Sequence, residues 1–375
     1  MHKDVFLIGS GQTRFGEHWE RSLRDLIQEA VKLAIDSSPC TSLDIDVIVV
    51  ANMLAEAVGN QAHLGALTSS LLPHHPPALR VEAACASGSV AIHTACALLE
   101  SGKAKNVLVV GAEKMTDVPV DVVSSALMGA ADAEVEQPSG LTFPGMFGLI
   151  AKRYLHEYPL TRDDLSIVSA VHHRQAMQNP FAQFRSEIPV AAISRSAPVA
   201  DPLRLLDCSP VSDGAAACIL STEHKSDMRV AASQLATDTL SLVNRPTLTS
   251  FAATKEAGAK ALEEASIPLE ELRCVELHDC FSIAALISLE DLGFSAPGEG
   301  VTVYRELYDR PATARCSVNR SGGLKACGHP VAATGVKQII DVAKGLVAEG
   351  GRYGLAQNFG GAGATCCVHI LEHNT

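Results

Sequence analysis

Aromatic residues are scarce in this chain, at 4% of 375 residues with a single tryptophan. A core without rings is built from Ala, Val, Leu and Ile, which suits layered α/β architecture. Positive charge is also short, with 30 Lys and Arg against 42 Asp and Glu and a net charge of -12. That balance excludes the broad basic face of a nucleic-acid binder but leaves room for a local basic patch. No Cys-x-x-Cys pair occurs among the 11 cysteines, which removes zinc-ribbon and dithiol redox motifs. No apolar run is long enough to span a bilayer. Met1-His2-Lys3-Asp4 leads into a short strand without a secretory apolar stretch, and His373-Asn374-Thr375 is not a Ser-Lys-Leu address. The expectation is a cytoplasmic protein with reduced, mostly buried thiols.

What is present is a cysteine in a small-residue bend. Val81-Glu82-Ala83-Ala84-Cys85-Ala86-Ser87-Gly88-Ser89 leads into an apolar helix that runs to Gly102 and belongs in the interior. A thiol at a helix N-terminus meets free N–H groups and the positive dipole end, so a lowered pKa is expected. Taken alone, Cys85 is equally a small buried hydrophobe. Three other segments join it. Leu277-His278-Asp279-Cys280-Phe281-Ser282 puts a histidine and a cysteine at a strand end. Ser321-Gly322-Gly323-Leu324-Lys325-Ala326-Cys327-Gly328-His329-Pro330 puts a histidine in a glycine-rich bend. Gln357-Asn358-Phe359-Gly360-Gly361 is a glycine turn between strands. Nucleophile, base and oxyanion donors can be drawn from such a set.

Together these segments resemble the thiolase superfamily, most specifically the sterol-carrier-protein type, whose signature is His-Asp-Cys-Phe where other thiolases have Asn-Glu-Ala-Phe. The resemblance covers nearly the whole chain, about residues 4–371. It implies the thiolase fold: two similar α/β halves in α-β-α-β-α layers, residues 1–222 and 223–375, with a loop domain inserted at about 113–200 that helps bind coenzyme A. It implies a CoA-dependent acyltransferase that makes or cleaves a 3-oxoacyl-CoA by Claisen chemistry. Cys85 would carry the acyl group, and His329 would handle its proton. His278 and His329 would polarise the thioester carbonyl, and the N–H groups of Cys85 and Gly360 would form the second oxyanion hole. Most thiolases have their acid/base in a Cys-x-Gly motif, whereas this chain has Asn358-Phe359-Gly360, so the resemblance hands that role to Cys280. If Cys280 is structural, only acyl transfer or hydrolysis remains. His278 can alternatively serve as a hydrogen-bonding group at a strand end, and Gly360 and Gly361 as a positive-φ turn.

The family is homodimeric or homotetrameric and uses acyl-CoA and acetyl-CoA as substrates, with no tightly bound cofactor or metal. A small OB-fold, zinc-binding partner protein is implied as possible company. Two alternatives stand beside it: a retro-aldol carbon–carbon lyase acting on CoA thioesters, whose members tend to lack the His-Asp-Cys-Phe residues, and a non-catalytic acyl-carrying or scaffold subunit.

The rest of the chain yields elements. Gly9-Ser10-Gly11 hints at a dinucleotide loop, but Arg14 occupies the place of the third glycine, so that reading is rejected. Ser22-Leu23-Arg24-Asp25 resembles a capping box opening a helix to about residue 37, with Leu23, Leu26, Ile27, Ala30, Leu33 and Ala34 facing a sheet. Strands are expected over 46–51, 106–111, 229–232, 273–277, 354–357 and 365–371, and another ending at 220. Thr254 is read as an N-cap, Ser282 as the next, Gly293 as a helix stop and residues 334–348 as a helix. His74-His75 and His172-His173 are read as surface or packing residues without a carboxylate partner. Cys327, Cys366 and Cys367 are read as packing residues.

Overall fold

Apolar β-branched runs form the sheet and alanine-rich stretches cover it, in a computed structural model describing residues 3–310 and 314–374. The first half runs β1 (Val5–Gln12), α1 (Leu23–Asp36), β2 (Val47–Ala51), α2 (Leu64–Ser69), β3 (Ala78–Val81), α3 (Ser87–Glu100) and β4 (Asn106–Glu113). An insertion holding α4 (Val120–Leu127), α5 (Phe143–Glu157) and α6 (Arg162–Ala176) precedes β5 (Gly214–Ser221). The second half runs β6 (Met228–Thr237), α7 (Ala252–Ala265), β7 (Leu272–Glu276), α8 (Ser282–Asp291), α9 (Gly300–Asp309), β8 (Ser317–Val318), α10 (Gly323–Cys327), α11 (Thr334–Glu349), β9 (Tyr353–Gly360) and β10 (Thr365–His373).

The strand order is β8-β7-β9-β10-β6-β1-β5-β4-β2-β3. Numbered within its half, each set of five reads third, second, fourth, fifth, first. The second strand pairs parallel with the third and fourth, and the fifth pairs antiparallel with the fourth and first. The repeat suggested by the sequence is therefore a repeat of topology. The two sets meet where Val5 pairs with Val230 and Phe6 with Arg229.

Helices α3 and α11 lie between the two sheets, and their aliphatic faces build one core with both: Ile92 and Leu99 meet Val107, Leu220, Ile339 and Leu371. α1 and α2 cover the outside of the first sheet, and α7 and α8 that of the second, which gives the five layers. The central helices cross at glycines. A Cβ at Gly88 would lie 2.6 Å from the Ala332 carbonyl oxygen, and one at Gly335 2.3 Å from the Ser89 nitrogen. Only hydrogen at these positions permits the approach.

The capping box at α1 is present, with Ser22 Oγ accepting from the Asp25 N–H and Asp25 Oδ2 from the Ser22 N–H. On that helix Val31 is buried, whereas Leu33 lies just past the edge of the buried arc and is exposed. Two expected caps are corrected. Helix α7 starts at Ala252 after Phe251, whose N–H donates to Asp291 Oδ2 at 2.6 Å, while Thr254 is buried within the helix and accepts from Gln357 Nε2. Ser282 is the first residue of α8 rather than its cap, because its hydroxyl donates sideways to Asp207 Oδ1. Gly293, at φ +90, does stop α8. No helix among the described residues is long and apolar enough to cross a membrane.

Candidate active site

The cysteine bend is held in an unfavourable backbone state. Ala84 has φ +51, a left-handed conformation that a non-glycine residue adopts at a cost. Three hydrogen bonds over-determine it: the Ala84 N–H donates to Glu82 Oε1, the Ala83 N–H to Ser87 Oγ, and Ser87 Oγ–H to the Ala84 carbonyl. Cys85 is thereby turned, half-buried, into a cavity of about 170 Å³. Cys280, His329 and Gly361 share its wall; Val120, Val123 and Leu127 of α4 and Phe143 and Phe147 of α5 supply an apolar side. The few aromatics of the chain concentrate here, with Phe147 stacked on Phe281 at 4.5 Å and the His278 ring 4.2 Å from Phe359.

The sulfur of Cys85 and ring nitrogens of His278 and His329 all lie within 4.8 Å of one another. The expected lowering of the Cys85 pKa is overturned: burial pushes the thiol up to about 12, against a contrary pull from the Gly361 N–H. The helix starts only at Ser87, and Glu113 adds to the upward push. Burial likewise drives His329 down to about 3 and His278 well below its ordinary value. Cysteine and both histidines are therefore neutral at rest. The N–H reaching the Cys85 sulfur is that of Gly361, whereas Gly360 packs beneath the turn, where a Cβ would lie 2.3 Å from the Ala83 oxygen.

The ring partners differ between the two histidines. His329 Nδ1 lies 2.7 Å from Thr334 Oγ1, whose hydroxyl donates to the Pro330 carbonyl, so the ring donates from Nδ1 and Nε2 is a free lone pair. Nδ1 of His278 lies 2.8 Å from Asn358 Nδ2, and its Nε2 is buried without a partner among the described residues.

Behind the cavity stands a polar scaffold missed in the sequence. Asp279 is fully buried and accepts from Asn319 Nδ2 and the Leu324 N–H. His172 Nδ1 lies 2.8 Å from Asp279 Oδ2, correcting the reading of His172 as lacking a carboxylate partner; it is buried, whereas His74 and His75 are exposed as expected. Burial pushes the Asp279 carboxyl up, but the His172 ring and Lys325 ammonium outweigh it and hold the group far below the carboxylate range. Lys325 is itself buried and donates to the carbonyls of Asp207 and Cys280, fixing the backbone that bears the second thiol. The thiol of Cys280 is raised well above its ordinary value by burial. Cys327, Cys366 and Cys367 are buried away from the cavity wall.

Comparison with known proteins agrees with this geometry. The family model for the thiolase N-terminal domain matches residues 5–224, and that for the thiolase C-terminal domain-like region matches residues 235–373. The acetyl-CoA acetyltransferase of Methanocaldococcus jannaschii is 42% identical over 99% of either chain. Human sterol carrier protein 2 is 30% identical over 93% of this chain and 67% of that protein. Among solved structures, the Ltp2-ChsH2(DUF35) aldolase superposes with a TM-score of 0.83 at 21% identity, covering 99% of this chain and 98% of that one. With the doubled five-strand topology, the paired central helices and both family models in agreement, this chain belongs to the thiolase family.

Proposed function

We propose that the chain forms or cleaves a 3-oxoacyl-CoA by Claisen chemistry, with acyl-CoA and acetyl-CoA as substrates and Cys85 as the acyl carrier. The observation that carries this is the convergence of Cys85, His278 and His329 within 4.8 Å beside an apolar cavity that also admits Cys280. His329 Nε2, a free lone pair, takes the Cys85 proton as sulfur attacks the thioester carbon, and the departing CoA thiolate takes its proton from the Cys280 thiol. The N–H groups of Cys85 and Gly360 hold the oxyanion at that carbon, with the Gly361 N–H close by. In the second half-reaction Cys280, left as thiolate, removes an α-proton from acetyl-CoA while His278 and the now protonated His329 bind the enolate oxygen. The enolate carbon then attacks the acyl carbon and the Cys85 sulfur leaves, taking back the proton held on His329. A buried thiol with a raised pKa is a strong base once ionised, which suits abstraction beside a thioester.

No tightly bound cofactor is needed for these steps. The same reading takes residues 1–222 and 223–375 as the two halves, a homodimer or homotetramer as the working form, and the cytoplasm as its place. A small OB-fold, zinc-binding partner fits it too, since the aldolase of similar fold is named with a DUF35 component. A lyase reading is supported by that fold likeness, but Cys280 on the cavity wall and His278 within 4.8 Å of Cys85 and His329 favour Claisen chemistry.

Thiolysis of acetoacetyl-CoA, followed as loss of its enolate absorbance, tests the reading. Wild type should consume it only with free CoA, Cys85→Ala should be inactive, and Cys280→Ala should lose at least about 100-fold in kcat. CoA-independent cleavage would establish the lyase reading instead. Full activity of Cys280→Ala would place the base elsewhere.

A further inference from the structure

We propose that Asn358 is a positioning residue that locks His278 as the tautomer carrying its proton on Nε2, so that His278 and His329 face the substrate as a donor and an acceptor. The assignment deepens the Claisen reading and rests on it for its catalytic consequence, though the tautomer can be measured without any substrate.

Asn358 Nδ2 lies 2.8 Å from His278 Nδ1, and an amide NH2 can only donate. The orientation of the amide follows from its other end. Oδ1 lies against the first turn of α11, where a Cβ on Gly335 would come within 2.6 Å of it. Oδ1 is buried there without a hydrogen-bond partner among the described residues, and the positive potential of a helix N-terminus suits an oxygen and repels an NH2 group. Nδ1 of His278 is then an acceptor, and the proton of the neutral ring sits on Nε2. That atom is fully buried and has no partner among the described residues, an orphan donor whose natural partner is the oxygen of a bound thioester or its enolate. Nε2 of His329 is orphaned in the opposite sense, as a lone pair, because Thr334 takes its Nδ1 proton. The rings are 5.0 Å apart and nearly perpendicular. Two histidines in the same tautomer would supply two donors or two acceptors. Asn358 and Thr334 make them complementary.

This accounts for the asparagine that stands where most of the family has the acid/base cysteine. With the second thiol moved to Cys280, the vacated position is free to orient the histidine that Cys280 brought with it.

Asn358→Asp gives the sharpest test. A carboxylate accepts where the amide donated, so the neutral ring must carry its proton on Nδ1 and lose the Nε2 donor. Only the doubly protonated ring recovers it. The other ionisable groups facing His278 are His329, Asp279, Lys325 and Cys85, and all are unchanged in this variant. The ratio of kcat for Asn358→Asp to that of wild type should therefore fall by at least about 10-fold between pH 6 and pH 9, with a loss of about 100-fold at the alkaline end, the cost of one oxyanion donor. A ratio flat across that range, with both proteins folded, overturns the proposal. A second measurement needs no Asn358 variant: 15N-histidine-labelled wild type, with His278 assigned by difference from His278→Gln. Its Nδ1 should show the imine-like shift and its Nε2 the pyrrole-like shift. The reverse pattern overturns the proposal whether or not acetoacetyl-CoA is turned over, and wild-type inactivity with the expected shifts would instead count against the Claisen reading.

Discussion

At the residue scale, burial decides the protonation of the site. Burial raises the Cys85 thiol and lowers the His329 imidazole, so the pair rests as a neutral thiol and a neutral ring rather than as a thiolate–imidazolium pair. Ionisation must accompany attack, when the substrate carbonyl takes up the charge. The sign follows directly: a raised thiol pKa keeps the thiolate fraction rising throughout the range below it. Alkylation of Cys85 by iodoacetamide should therefore accelerate about tenfold per pH unit from pH 6 to pH 9. A rate already level at neutral pH would reveal a preformed ion pair and overturn this account. The sequence placed Cys85, His278, Cys280, His329 and the Gly360 turn in one site because each sits in a long motif with its own local signal. It did not reveal the pKa direction, which depends on how much protein surrounds the sulfur, nor His172 and Asn358, whose partners are 107 and 80 positions away in Asp279 and His278.

At the scale of elements, the strands and long helices were legible from apolar runs and helical spacing, whereas helix starts were legible only where the cap is local. Ser22 and Asp25 cap each other three residues apart. Thr254 and Ser282 have the right hydroxyls but use them on Gln357 and Asp207, and α7 is begun by a carboxylate from α8. The same distinction separates two substitutions. Ser22→Ala removes one exposed cap and should cost about 1 kcal/mol in urea unfolding with unchanged kcat. Gly335→Ala drives a methyl to within 2.3 Å of the Ser89 backbone, so α3 and α11 must separate. We expect a loss of about 3 kcal/mol or more together with a fall in kcat, since α3 follows directly from Cys85 and α11 from the His329 bend. Wild-type stability and rate in Gly335→Ala would show that the crossing has slack.

At the scale of the molecule, neither half owns the site or the core. Cys85 comes from the first half, while His278, Cys280, His329 and Gly361 come from the second. The central core draws Ile92, Val107 and Leu220 from one half and Ile339, Ile340 and Leu371 from the other, so parting the halves would expose the inner face of both sheets. By contrast the strands of the two halves share, among the described residues, two residue pairs at their seam. Cohesion is thus carried by helix packing, and helix packing is lost all at once because each central helix touches both sheets. The most protected amides of β5 and β10, one strand in each half, should consequently exchange through the same global opening, with free energies agreeing within about 1 kcal/mol and equal denaturant sensitivity. If β10 opened well below β5, the halves would be separate cooperative units, and the shared core between α3 and α11 would be an interface rather than an interior.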